Sequence, residues 1–314
     1  MLAEPRPLHP SMIGWLWGLG HASDQTGTTF REDRSESCQP QFMNSLLQVT
    51  QQARKSSSAM STQEPLAGKV AIVSGSDSGI GFAIAHELSS RGAYVAINYP
   101  FSSLADSANN KAASLPTRCI AVCADMGTTQ GPKRLVEATI REFGRLDIVV
   151  NNVALAVNKP LEEQTLDDWD LLVNVNGRST FLLTQSSLPH LTRGSGRIVN
   201  ICSASSRGSP PLQTIYAGTK GMVDSFTKCW AKELPPKYGC TVNAVSPGPT
   251  KTEGFLAAGE EAMRILQPAI EATPAGKRMG TPEEIAFAVG FLCDERASWV
   301  NGVHLAVNGG LHID

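Results

Sequence analysis

The sequence predicts an α/β domain with a doubly wound parallel sheet, helices on both faces and a small helical lid. Three observations carry this. Short runs such as Val70-Ala71-Ile72-Val73 and Ile148-Val149-Val150 are apolar at every position. Such runs belong to strands buried on both faces, the condition of a parallel sheet between helical layers. Segments of helical period separate them throughout the second part of the chain. The first run also leads through a glycine-rich turn, Ser74-Gly75-Ser76-Asp77-Ser78-Gly79-Ile80-Gly81, straight into a helix.

In chain order, Val70–Val73 is the first strand and Ile80 to Arg91 its helix, with Ile84 and Leu88 on one face. Tyr94 to Asn98 is the second strand, Ser107 to Leu115 a helix and Ile120 to Ala124 the third strand. Pro132 to Phe143 is helical, Ile148 to Val150 the fourth strand, and a long helix covers Leu166 to Leu188. An apolar strand begins at Arg197, and a helix with Met222, Val223, Phe226 and Trp230 at helical spacing follows. Thr241 to Val245 is the next strand. Thr281-Pro282-Glu283-Glu284 has the capping threonine, first-turn proline and glutamate three residues on that open a helix. Val303 to Val307 is the last strand, and residues 253–279 break the alternation as the lid.

Residues 1–64 differ: they are rich in Ser, Thr, Gln and Pro, and only Met43 to Ala53 has weak helical character. They read as a disordered, dispensable extension, with Met60 as a candidate start, so residues 65–314 form the folded domain. Met12 to Gly20 is apolar but far short of the roughly eighteen residues of a membrane span, and it lacks the basic flank of a secretory signal.

A net charge of −2 gives no electrostatic case for nucleic acid or an anionic membrane. The seven cysteines are odd in number and scattered, with no paired Cys or His/Cys cluster at metal spacing. No metal site is expected, and a reducing, cytoplasmic compartment fits. Cys119 and Cys123 alternate with apolar residues in one strand and read as core.

The chemistry concentrates in Tyr216-Ala217-Gly218-Thr219-Lys220. Residues four apart share a helical face, so the ammonium of Lys220 sits beside the phenol of Tyr216. A nearby positive charge favours the phenolate, and such a tyrosine can exchange a proton with a substrate oxygen. A Tyr and a Lys four apart can equally be plain helix surface. The other tyrosines, Tyr94, Tyr99 and Tyr238, have Asn98, Ser103 and Val242 at that place, and only Tyr216 follows a strand-end serine, Ser203, by thirteen residues. In the glycine turn, glycines permit close approach of a pyrophosphate, which the helix N-terminus attracts.

Gly75, Gly79 and Gly81, Asn151-Asn152, Ser203, the pair Tyr216/Lys220 and Pro247-Gly248 occur in the order of the short-chain dehydrogenase/reductase family, which the chain resembles from about residue 66 to 314. The resemblance implies a Rossmann-like domain and a nicotinamide cofactor. It implies Tyr216 as general acid, Lys220 lowering the Tyr216 pKa and binding the nicotinamide ribose, and Ser203 bonding the substrate oxygen. Asn176, rather than the nearby Asn174, matches the asparagine that holds a relay water. Gly75, Ser78, Gly79, Ile80 and Gly81 would take the pyrophosphate and Asp125 the adenine. Asn151 would hold the central strands and line the cofactor site, while Pro247, Gly248 and Thr252 would grip the carboxamide. Departures from the family pattern are Val153-Ala154, Ser179 and Gly218-Thr219, none of them a reacting group.

A carboxylate ending the second strand would repel a 2′-phosphate. This chain has Asn98, then Tyr99, Ser102 and Ser103, a string similar to that of fungal polyhydroxynaphthalene reductases that use NADPH. Asp77 in the turn argues the other way, and the balance favours NADP over NAD. The expected function is NADP(H)-dependent reduction of a neutral, polyketide-like ketone to a secondary alcohol, the chemistry of secondary-metabolite biosynthesis. The alternatives are an NAD-dependent alcohol dehydrogenase and a catalytically silent binding module. The pocket is expected from Ala154–Pro160, Ala204–Leu212 and Glu253–Leu266. A homodimer or homotetramer is implied by the family, with Trp169, Phe181, Phe226 and Trp230 as candidate contacts.

Overall fold

The computed structural model describes residues 64–313 except Ala258. Apart from Glu64, the expectations for residues 1–64, including the helix at Met43–Ala53 and the start at Met60, lie outside the described residues.

Seven parallel strands form one sheet in the order β3-β2-β1-β4-β5-β6-β7. They are β1 (Val70–Val73), β2 (Tyr94–Tyr99), β3 (Cys119–Cys123), β4 (Ile148–Asn151), β5 (Arg197–Ile201), β6 (Thr241–Pro247) and β7 (His304–Val307). The register pairs Val73 with Ile97 on one side and with Val150 on the other. Strand order reverses between β1 and β4, and in open α/β sheets the crevice at such a switch point, beyond the carboxyl ends of the strands, is where ligands bind.

The helices are α1 (Gly79–Ser90), α2 (Ala105–Ala113), α3 (Gly131–Phe143), α4 (Leu166–Leu172), α5 (Ser179–Ser187), α6 (Ser205–Gly208), α7 (Thr214–Glu233), α8 (Pro235–Tyr238), α9 (Glu253–Ala257), α10 (Gly259–Glu271) and α11 (Pro282–Cys293). Alternate strand residues feed two cores. Ala71, Val73, Val95, Val150 and Val245 pack with Ile84 and Leu88 of α1 and Ile285 and Val289 of α11. Ile72, Val149, Ile198 and Val242 pack with Leu135 of α3, Leu183 of α5 and Ala231 of α7. The central strands are therefore fully buried, as their unbroken apolar sequence requires. The edge strands are not: on β3, Cys119 and Cys123 are only half-buried, Cys119 packing against the first core, because no strand among the described residues covers that edge.

The long helix expected over Leu166 to Leu188 is interrupted. Residues Val173–Arg178 form a π-helical segment between α4 and α5. Such segments recur at functional sites, and this one carries Asn174 and Asn176. The lid is two helices, α9 and α10. No helix among the described residues is long and apolar enough to cross a membrane.

Candidate active site

The glycine turn is built for close backbone contact. Gly75 and Gly79 adopt φ of +58° and +54°, a region L-residues with side chains rarely enter. A Cβ on Gly81 would lie 2.2 Å from the Gly75 carbonyl oxygen. A Cβ on Gly75 would fall 2.9 Å from Cα of Val153, so glycine here lets the two backbone segments come this close. Ser78 caps α1 in extended conformation without a side-chain hydrogen bond to the first turn, and no acid lies in that turn. The first-turn amides of α1 are thus left for an anion.

They face a cavity of about 810 Å³ at the switch point, lined by Gly75, Ser78, Ile80, Gly81, Asn98, Asp125, Lys220, Pro247, Gly248 and Thr252 among others. The residues fit a dinucleotide. Thr252 closes it from across: its Cγ2 would stand 3.3 Å from a Cβ on Gly79, and its hydroxyl accepts the Phe255 N–H at 3.1 Å. Asp125 lines the cavity and accepts the Gly127 N–H at 2.8 Å.

Several expected cofactor residues have other roles or stand outside this cavity. Asn98 is buried, and its amide is spent on the fold. Oδ1 accepts the Gly75 N–H at 2.9 Å, while Nδ2 donates to the Ala124 and Val122 carbonyls at 2.9 and 3.3 Å. It braces the turn against β3 and keeps no donor for a phosphate. Tyr99 is buried. Ser102 and Ser103 are exposed beyond Pro100 and Phe101, which do line the cavity. Asn151 is not part of the wall; its Nδ2 donates to Thr184 Oγ1 and Asn200 Oδ1, tying β4 to β5 and α5. Asn152 lines the cavity instead and clasps the Ser74 and Gly75 carbonyls at 2.9 and 2.8 Å.

A second cavity of about 420 Å³ adjoins the first and shares Ser203, Tyr216, Pro247 and Gly248 with it. Ser203 lies two residues past the end of β5 and Tyr216 in the first turn of α7. The Ser203 side chain acts on the Tyr216 hydroxyl from beside it. Burial pushes the Tyr216 pKa up, partly offset by Ser203. The expected lowering by Lys220 does not carry: desolvation is the largest effect, and what lowering there is comes from Ser203. Lys220 is itself buried, donates to the Ile201 carbonyl at 2.7 Å, and has its pKa brought down to about 8 by desolvation.

Asn176 is fully buried and its side chain does not reach the cavity, which Asn174 and Val175 line. Its Oδ1 accepts the Leu155 N–H at 2.8 Å, and its Nδ2 donates to the Leu155 carbonyl at 2.9 Å and to Thr219 Oγ1 at 3.0 Å. Both amide hydrogens of the Asn176 side chain are thus engaged by the protein.

Sequence reasoning missed Thr219, Gln213 and the tail residues Leu311 and His312, the last three lining the smaller cavity. Glycine-threonine in place of the usual pair after Tyr216 was the only signal for Thr219. Behind the site, Asp224 pairs with Arg207 at 3.1 Å, Lys228 at 2.9 Å and His304 at 2.8 Å. Burial opposes its ionisation, but hydrogen bonds from Lys228, His304 and Arg207 outweigh that and hold its pKa at about 2. Cys202 adjoins Asp224 and His304, yet burial pushes its thiol up to about 12. With its carboxylate already neutralised and its thiol protonated, this cluster offers a cation little.

A family model described as enoyl-(acyl carrier protein) reductase matches residues 75–312. The chain is 38% identical over 257 residues to the short-chain dehydrogenase/reductase FrzI of Cladobotryum sp, covering 80% of this chain and 99% of the relative. It is 37% identical over 251 residues to the hydroxynaphthalene reductase arp2 of Aspergillus fumigatus, covering 77% and 91%. A short-chain dehydrogenase from Burkholderia cenocepacia, solved in complex with NADP, superposes with a TM-score of 0.72 at 35% identity, covering 79% of this chain and 99% of the other.

Proposed function

Because the chain belongs to the short-chain dehydrogenase/reductase family, whose members are oxidoreductases, we propose that it reduces a neutral ketone to a secondary alcohol with NADP(H). The observation that carries this is the position of Ser203 and Tyr216 where the two cavities meet. Two hydroxyls on one point can both bond a single carbonyl oxygen, which favours carbonyl over carbon–carbon double-bond reduction.

When bound, the nicotinamide cofactor supplies hydride. The protein's own groups supply the rest. Tyr216, a phenol that is already protonated at neutral pH and that burial holds so, donates to the ketone oxygen. Ser203 holds the same oxygen and stabilises the charge that develops there. Lys220, one turn on, is a buried cation held on the Ile201 carbonyl; sharing a helical face with Tyr216, it would favour the phenolate left after proton transfer. Gly75, Ser78, Gly79, Ile80 and Gly81 would hold the pyrophosphate at the start of α1.

NADP is favoured over NAD on three grounds. The Burkholderia neighbour holds NADP. No carboxylate ends β2. Burial raises the Asp77 pKa, and the Lys111 ammonium, which donates to the Asp77 carbonyl, also faces its carboxylate, so the turn is not an uncompensated anion. A polyketide-like substrate is supported by the similarity to a fungal hydroxynaphthalene reductase. A homodimer or homotetramer is supported by exposed Trp169 and Phe181, the latter against the Phe226–Trp230 stack. The six described cysteines are free, which supports a reducing compartment such as the cytoplasm.

The test is cofactor oxidation by the full-length protein over a panel of neutral and anionic ketones, with NADPH and NADH in parallel. Faster turnover of neutral ketones with NADPH is expected. Alcohol oxidation with NAD and no ketone reduction would contradict it.

A further inference from the structure

Beyond β7 the chain turns back on itself. Gly309 and Gly310 follow Asn308 with φ of +64° and +82°, a region glycine enters without strain. The fit is close: a Cβ on Gly309 would stand 2.6 Å from Thr273 Cγ2. This turn carries Leu311 and His312 into the wall of the smaller cavity, which they share with Phe255 of α9, Leu266 of α10 and Tyr216. Asn308 organises it. Its side chain is buried; Oδ1 accepts the Gly310 N–H at 3.0 Å and Nδ2 donates to the His312 carbonyl at 3.0 Å. The Asn308 carbonyl accepts the Leu311 N–H at 3.1 Å, and the Gly309 carbonyl accepts the Ala275 N–H at 3.0 Å, which ties the turn to the end of the lid segment. A Cβ on Gly248 would lie 2.9 Å from Asn308 Cα, so the same residue packs on the loop that lines both cavities.

We propose that Leu311 is a specificity-determining residue that limits the bulk of the ketone, and that Asn308 is the positioning residue that holds it in the wall. This rests on reading the smaller cavity as the ketone site. Leu311 lines that cavity and not the larger one, so it meets an apolar substituent of the ketone rather than the cofactor. The segment around it is fixed: the amides of Gly310 and Leu311 and the carbonyl of His312 are all engaged by Asn308. Ile313, the next residue, is 80% exposed, so the chain turns outward as soon as it has formed the wall. A fixed apolar wall selects by size, since one methylene more or fewer in a hydrophobic pocket changes kcat/KM by about 10- to 200-fold. Asn308 reaches no substrate in this reading. It acts through the turn, by keeping Leu311 from yielding to a bulkier ligand.

The experiment uses the full-length protein, cyclohexanones bearing a para alkyl group that grows from methyl to cyclohexyl, and two readouts: kcat/KM with NADPH and ketone Kd by calorimetry. Leu311→Ala should raise the preference for the bulkiest ketone over the smallest by about tenfold or more, and Leu311→Phe should move that ratio the other way. Asn308→Asp keeps the acceptor for Gly310 and removes the donor to His312. It should shift the ratio in the direction of Leu311→Ala by about fivefold, the worth of one hydrogen bond, and through KM rather than kcat. A merely structural role would lower all ketones alike and give no opposite signs. If ketones turn over and the ratio stays put, or moves the same way in both Leu311 variants, the inference is overturned and the reductase reading stands. An unmoved ratio in Asn308→Asp overturns its positioning role. Should one Leu311 variant fail to fold, the other and Asn308→Asp decide by the same ratio. If the ratio of Kd values shifts as expected without turnover of any ketone, the size limit stands and the reductase reading falls. If nothing binds or reacts, both fall.

Discussion

The Nδ2 of Asn176 donates to Thr219 Oγ1 at 3.0 Å, and the Thr219 hydroxyl donates in turn to the Tyr216 carbonyl at 2.7 Å. The π-helical segment, the loop at Leu155 and the first turn of α7 are therefore one hydrogen-bonded unit. A Cβ on Gly177 would stand 2.7 Å from Met222 Sδ, so a glycine lets the two helices come this close. Thr219→Val keeps the shape and removes the acceptor, leaving a buried amide hydrogen unpaired at a cost of about 1–3 kcal/mol. Thermal melting should fall by several degrees, KM should rise as the Leu155 loop loosens, and Thr219→Ser should restore both. Wild-type behaviour of the valine variant would show that the unit does not matter.

Lys220 makes stability depend on pH in a definite sense. Its pKa falls from 10.5 to about 8 on burial. Between those values the unfolded chain holds the proton and the folded protein has released it, so this group's contribution to stability rises with pH there. Below about pH 8 both states are protonated and the folded state bears the full cost of the buried ammonium. Compared with Lys220→Met, the wild type should gain stability from pH 8 to 10.5 in denaturant titrations. A gap that stays constant would contradict the buried, depressed lysine.

Asp224 anchors Arg207 of α6, the helix that follows Ser203. Asp224→Asn leaves Arg207 and a 92%-buried His304 side chain beside a neutral amide. The loss should be on the order of 2–3 kcal/mol, less than for a fully enclosed pair because Lys228 stays solvated. The depressed acid contributes above the unfolded value of 3.8 and loses its contribution only as pH falls toward about 2. The loss should therefore persist from pH 5 to 8 and grow toward pH 5, because the unfolded chain takes up the His304 proton while the variant's folded state, without the Asp224 carboxylate, accepts it still less readily. Denaturant midpoints at both ends of that range check it, and kcat/KM should fall with the loss of support under Ser203.

Lys111 reaches from α2 to the carbonyl of Asp77 in the glycine turn. Its charge offsets Asp77 where a 2′-phosphate would be discriminated. Lys111→Met should weaken NADPH binding by about tenfold, a charged hydrogen bond discounted for partial exposure, and leave NADH nearly unchanged. Calorimetry with both cofactors reads this. Equal weakening of both would assign Lys111 a structural part alone.

Much of this was legible in the chain. Unbroken apolar runs announced the parallel sheet, and Thr281-Pro282-Glu283-Glu284 announced α11 with the capping box it forms. Ser203, Tyr216 and Lys220 do converge on one place. The failures were of side-chain allegiance. Nothing in the sequence separates an asparagine that serves a ligand from one that serves the backbone: Asn98 lines the cavity but its amide braces the turn, Asn151 holds the central strands as expected without reaching the cavity, and the Asn176 side chain is spent on the fold. The π segment leaves no mark in the period of a helix sequence. Leu311 and His312 were passed over because only the fold shows that a segment beyond β7 reaches the smaller cavity. The direction of the Tyr216 shift is not legible in the sequence for a related reason. Charge can be counted from sequence, but the depth at which a phenol lies cannot.

The most direct measurement is ketone-dependent NADPH oxidation by Tyr216→Phe, with NADPH binding followed by calorimetry on the same sample. Turnover should fall by at least about 10³-fold while the cofactor Kd stays within a few-fold, since the hydroxyl serves the proton step. Turnover near the wild-type rate would contradict the assignment of Tyr216 as the proton donor.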